Sequence, residues 1–140
     1  HGLSCPRWFT EGDKWNNYDT RFSSEYHCDL LEVLSDFGAS AKCSMDEIAA
    51  VFNVPGKLET AGDNVREMFE TGQIEAIRDY CETDVLTTML IFLRHQFFSG
   101  ALTEGAYARA AIGVRNFVEA ESESRPHLAE YLQAWDQGED

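Results

Sequence analysis

From Gln73 onward the chain repeats apolar side chains at three- and four-residue steps: Ile74, Ile77, Cys81, Val85, Thr88, Met89 and Phe92. That spacing predicts one long amphipathic helix over about 73–98. Gly100 and Thr103 punctuate the next boundary, after which Tyr107, Ala110, Ala111, Val114, Phe117 and Val118 form a second helical stripe. Pro126 suits the first position of a last helix carrying Leu128, Tyr131, Leu132 and Trp135, and the acidic Glu121-Ser-Glu-Ser stretch before it predicts a solvated turn. Further upstream, Ser44 and Glu47 have the spacing of a capping box and predict a helix over 45–53. Val54-Pro55-Gly56-Lys57 stops that helix, and a loop follows to about Gly62. Asp63 then caps a short helix through Val65, Met68 and Phe69 that ends at Gly72. The apolar run from Cys28 to Leu34 is too short for periodicity to separate strand from helix, and it is read as a strand end passing into a short helix. Residues 1–26 show neither period and predict irregular chain held by Trp8, Phe9, Trp15, Tyr18 and Phe22. The chain has no internal repeat.

Composition narrows the function. A length of 140 residues predicts one domain, and 44% hydrophobic with 26% charged residues excludes wholesale disorder. Eleven Lys and Arg against 25 Asp and Glu leave a formal charge of −14, which repels phosphate backbones and argues against a general nucleic-acid coat protein. The longest apolar candidate, Val85–Phe98, is broken by Thr87, Thr88, Arg94, His95 and Gln96 and is too short to span a bilayer. The first residues carry no basic-then-apolar leader, and the absence of an initiator Met reads as a truncated or processed start. Cys5, Cys28, Cys43 and Cys81 form no Cys-x-x-Cys pair, so they are read as reduced thiols of a cytoplasmic protein.

The sharpest chemical constellation lies on the long helix. Tyr80 and Asp84 stand four residues apart and therefore share one helix face. A carboxylate beside a phenol can hold a hard metal ion while the hydroxyl orients a water for attack on phosphorus. The same pair also occurs by chance on solvated, salt-bridged helix faces.

Tyr-x-x-x-Asp within IEAIRDYCETDVLTTMLIFLRHQ resembles the third motif of DEDDy-type 3′–5′ exonucleases. The segments HCDLLEVLSDFGASAKCSMDEIAAVFNVPGK and GDNVREMFETGQIEAIRDYCETDV extend the likeness to the predicted bacterial 3′–5′ exonucleases related to the proofreading domain of family-B DNA polymerases. The resemblance covers about residues 3–100; residues 101–140 carry no matching motif and are read as a helical C-terminal extension. It implies an α/β ribonuclease H-like fold, of which this chain is the C-terminal part, contributing mostly helices and at most one strand. It also implies two-metal hydrolysis with Mg²⁺ or Mn²⁺ at the 3′ ends of single-stranded DNA. Asp84 would then be a metal ligand and Tyr80 would position the attacking water. The family's Asp-x-Glu and Asn-x-x-x-Phe-Asp motifs do not occur in the 140 residues. The chain alone is therefore expected to be inactive, and the apolar stripe of the long helix is expected to be covered by a second copy, an N-terminal piece or the C-terminal helices folded back, the first two giving an assembly larger than a monomer.

Three further residues are candidates for substrate contact. His27 and Asp29, in a His-x-Asp-Leu element, could line the site or simply tie down local backbone. Lys57, on the Pro-Gly-Lys loop, could neutralise a substrate phosphate or be no more than solvated. Arg78 reads as a partner for Glu75, Asp79 or Glu82, and His95 and His127 have no neighbour at metal-ligand spacing. The rival reading, from a different class, is a non-catalytic acidic helical module that binds a protein partner.

Overall fold

A computed structural model describes residues 7–20, 23, 25–56 and 64–138. The described chain is helical and divides into two compact units, His1–Cys43 and Ser44–Asp140.

In the first unit, α1 (Arg7–Thr10) is a single turn followed by irregular chain. Asp13 organises that chain, its Oδ1 accepting from the backbone N–H groups of Trp15 at 2.7 Å and Asn16 at 2.8 Å. These bonds favour the charged carboxylate, and the Trp15 N–H leads in holding Asp13 below the ordinary carboxylate range. Gly12 has φ +110 and faces Asn17 across an isolated bridge, where a Cβ would collide with the Asn16 carbonyl. The expected aromatic packing is present, with ring centroids 4.9 Å apart for both Phe9–Tyr18 and Tyr18–His27, whereas Trp15 is exposed.

The strand end expected near residues 27–29 is absent, and no strand occurs among the described residues. The segment forms α2 (Leu30–Leu34) because Asp29 is an N-cap, its Oδ1 taking the amides of Leu31 at 3.0 Å and Glu32 at 3.3 Å. A 3₁₀ turn, Asp36–Gly38, follows.

The second unit opens with α3 (Met45–Phe52), whose capping box is complete. The Glu47 amide donates to Ser44 Oγ at 3.3 Å and the Ser44 amide to Glu47 Oε2 at 2.7 Å. Asn53, left-handed at φ 54, ends it before Val54 and Pro55. The proposed cap Asp63 lies outside the described residues; the short helix it was to open is α4 (Val65–Glu70). The long helix is α5 (Ile74–Phe98), closed by Gly100 at φ +77, a left-handed angle that glycine adopts without Cβ strain. Helix α6 (Glu104–Ser122) starts at Thr103, whose Oγ1 accepts from the Ala106 amide at 3.3 Å. It runs two residues into the stretch read as a turn, so the turn itself is confined to Glu123 and Ser124. Pro126 opens α7 (Pro126–Gly138), as its missing N–H permits.

Helices α6 and α7 fold back on α5, while α3 and α4 pack against it elsewhere. The core comprises Leu90, Val118, Leu128, Tyr131 and Trp135, with Leu86, Val114 and Leu132 against it. Tyr131 is fully buried, and its hydroxyl lies 3.1 Å from Thr87 Oγ1, which donates to the Pro55 carbonyl at 3.0 Å. Burial pushes the phenol up to about 12, against the opposing effect of the Thr87 hydrogen bond.

The face of α5 that packs is not the one the apolar stripe singles out. Thr83, Thr87, Leu90, Ile91 and Leu93 are buried, whereas Ile74, Cys81, Val85 and Met89 are exposed and Ile77 and Phe92 half-buried. Apolar residues surround much of this helix, and the stripe expected to need a cover stays mostly exposed while another side of the helix is buried.

Candidate active-site helix

One turn of α5 separates Tyr80 from Asp84, and both side chains are half-buried. Between them Thr83 is buried and turns its hydroxyl back to the Tyr80 carbonyl at 2.9 Å, a bond within the helix that adds no ligand group to the face. One turn beyond Asp84, Thr88 Oγ1 donates to Met45 Sδ of α3 at 3.5 Å. Asp84 thus lies on a side of α5 that α3 borders.

The carboxylate of Asp84 carries the decisive feature. Its Oδ1 is buried and has no hydrogen-bond partner. Leaving a buried polar oxygen unpaired costs about 1–3 kcal/mol, so native chains rarely keep one without a use for it. Asp79 and Glu82 on the same helix are treated differently. Arg78 Nη2 reaches Asp79 Oδ1 at 2.6 Å, and Arg78 Nε lies 3.8 Å from Glu82. Glu82 Oε2 is 3.2 Å from Arg125 Nη1 and 2.8 Å from His127 Nε2, while His127 Nδ1 stands 3.5 Å from Asp79. This network pins the start of α7 to α5. The Arg78 pairs are among those its spacing suggested, whereas sequence reasoning missed Arg125 and His127 because they lie more than forty positions from Glu82.

The remaining candidates fall elsewhere. His27 and Asp29 belong to the first unit. The His27 ring contacts the Tyr18 carbonyl through Nε2, and Asp29 is spent on the cap of α2, so both perform the local backbone role weighed above. They border a cleft of about 460 Å³ together with Tyr18, Asp19 and Cys28. Lys57 lies outside the described residues. Arg94, which the sequence did not single out, closes the end of α3. Its Nη2 donates to the Phe52 carbonyl at 3.1 Å while the guanidinium sits 5.0 Å from the Tyr107 ring centre.

A family model described as a predicted 3′–5′ exonuclease related to the exonuclease domain of PolB matches residues 1–135. The chain belongs to this family. The match runs past the long helix through α6 and into α7. No curated protein and no solved structure matches the chain.

Membership makes a two-metal site the natural test of Asp84. Such a site needs several hard oxygen ligands around each ion. Asp84 Oδ1 has the character of one such donor, but no group of three or more His, Cys, Asp or Glu side chains able to hold a metal occurs among the described residues. The donor set of these residues does not complete such a site. No helix among them is long and apolar enough to cross a membrane.

Proposed function

We propose that the chain supplies the Tyr80–Asp84 face of a 3′–5′ exonuclease that removes nucleotides from the 3′ ends of single-stranded DNA. The observation that carries this reading is the buried, unpartnered Oδ1 of Asp84 one helical turn from a phenol, in a member of an exonuclease family. The role assigned to Asp84 is to contribute a hard anionic oxygen to a Mg²⁺ or Mn²⁺ site, with the other oxygen donors lying outside the described residues. The role assigned to Tyr80 is to hold, through its hydroxyl, a water near the scissile phosphorus. Local positive charge must offset the −14 of the chain where the strand enters, and Lys57 is the residue proposed for it.

The test uses an enzyme that carries Asp-x-Glu and Asn-x-x-x-Phe-Asp as well as Tyr-x-x-x-Asp, acting on a 5′-labelled single strand in Mg²⁺. Asp84→Ala should abolish stepwise shortening, and Tyr80→Phe should lower kcat far more than it changes KM. The 140-residue chain by itself should show no activity. Near-wild-type turnover by Asp84→Ala would overturn the reading.

A further inference from the structure

We infer that Thr87 is a positioning residue whose hydroxyl holds α5 at the rotation that aims Tyr80 and Asp84, a role that rests on the functions proposed for those two residues. The helix hides its threonines and shows its aliphatic side chains. Thr83 and Thr87 are buried at 4% and 1% exposure, whereas Val85 and Met89 are 67% and 42% exposed. Hydrophobic burial alone favours the reverse, because a buried hydroxyl costs free energy unless it is bonded, while a buried Val or Met stabilises. The Thr83 hydroxyl bonds to the Tyr80 carbonyl inside its own helix and is indifferent to how that helix is turned. Thr87 is not. Its Oγ1 donates to the Pro55 carbonyl at 3.0 Å and stands 3.1 Å from the Tyr131 hydroxyl, so one oxygen ties α5 both to the turn after α3 and to α7. Both anchors are fixed, since Tyr131 is fully buried and the Val54 amide ahead of Pro55 donates to the Ala49 carbonyl at 3.0 Å.

Apolar contact has no preferred direction, and a helix with apolar side chains around much of its circumference can rotate by exchanging one apolar surface for another. A short hydroxyl that must meet a carbonyl and a phenol together permits only one setting. The other bonds from α5 to its neighbours are more forgiving. Arg94 and Glu82 reach theirs through long side chains, and Thr88 meets a weak sulfur acceptor at 3.5 Å. Tyr80 and Asp84 stand seven and three positions before Thr87, within about 20° and 60° of it around the helix axis. A rigid helix therefore turns all three together, and a misplacement of about 1 Å at a reacting group can cost about 100-fold in rate.

The test uses the complete enzyme with its three motifs and a 5′-labelled single strand, well below the melting transition of each variant. Thr87→Val keeps the shape and removes the hydroxyl; it should lower kcat by about tenfold or more and change KM by less than about twofold. Thr87→Ser keeps the hydroxyl and should stay within about twofold of wild type. Val118→Ala removes apolar contact from the same core and should lower the melting temperature without lowering kcat. A readout free of activity comes from Cys81, exposed on α5 between Tyr80 and Asp84. In the 140-residue chain with Cys5, Cys28 and Cys43 replaced by Ser, Thr87→Val should change the rate at which Cys81 reacts with a thiol reagent by about threefold or more, and Thr87→Ser should leave it unchanged. Normal kcat in Thr87→Val, an equal loss of kcat in Thr87→Ser or in Val118→Ala, or a Cys81 rate that does not respond would overturn the inference. Near-wild-type turnover by Asp84→Ala would instead remove the catalytic reading and leave Cys81 to decide whether Thr87 sets the helix.

Discussion

The part of α5 that meets α6 and α7 is saturated, and the rest of its circumference, with Asp84 towards α3 and Val85 and Met89 towards solvent, is not. On the first, Leu90 is buried, Thr87 is bonded to Pro55 and placed within hydrogen-bond reach of Tyr131, and Glu82 is shared between Arg125 and His127. On the second, a carboxylate oxygen has no partner and large apolar side chains lie in water. Both sides belong to one helix with one set of local propensities. Saturated contacts hold the bundle together, whereas the unmet carboxylate is the group to which the proposed function assigns a ligand.

The largest effect should come from adjacent residues that straddle the two sides. Leu90→Ala should destabilise the chain by about 2–5 kcal/mol, whereas Met89→Ala should change stability by no more than about 0.5 kcal/mol. Urea unfolding followed by circular dichroism measures both, and equal losses would erase the contrast.

Thr87→Val should cost about 1–3 kcal/mol, because it leaves the Pro55 carbonyl and the Tyr131 hydroxyl without their partner inside the core. The same site sets an alkaline limit. The Tyr131 phenol is raised to about 12 in the folded chain against an ordinary 10.0, so folding favours its neutral form. That contribution is complete below about pH 10 and is lost as pH rises from about 10 through 12. Tyr131→Phe should weaken this alkaline loss, and thermal melts across that range will show whether it does.

The two carboxylates allow a finer test. Glu82→Gln should cost about 1–2 kcal/mol by removing the charged partner of Arg125 and His127. Asp84→Asn should leave the melting temperature unchanged or slightly higher, since no partner is lost at Oδ1, while removing activity in the complete enzyme. A large loss of stability in Asp84→Asn would return that residue to a structural role.

The smallest effect belongs to α3. Ser44→Ala should cost about 1 kcal/mol through loss of the cap. The Ser44 backbone N–H holds the Glu47 carboxyl below its ordinary 4.5, so the capping box contributes fully above that value and fades as pH falls through the lowered one. Melts of Glu47→Gln and wild type should therefore converge in acid, whereas the Ser44→Ala loss of the Oγ cap persists there.

The features legible in the sequence are those whose causes lie within a few residues. The capping box of Ser44 and Glu47, the span of α5 and the start of α7 at Pro126 all follow from bonds reaching three or four positions along the chain. The Tyr80–Asp84 spacing is local in the same sense. The run from Cys28 to Leu34 was ambiguous because five or six apolar residues suit either element, and the Asp29 cap resolved it toward helix. The outcome that no local rule could reach was which face of α5 would be buried. Apolar side chains lie around much of that helix, and the choice rests on Val118, Leu128, Tyr131 and Trp135 arriving from 28 to 45 positions beyond Leu90. Those same long-range contacts brought Arg125 and His127 to Glu82 and left Asp84 without a partner, because hydrophobic burial depends on what packs in three dimensions and has no fixed reach along the chain.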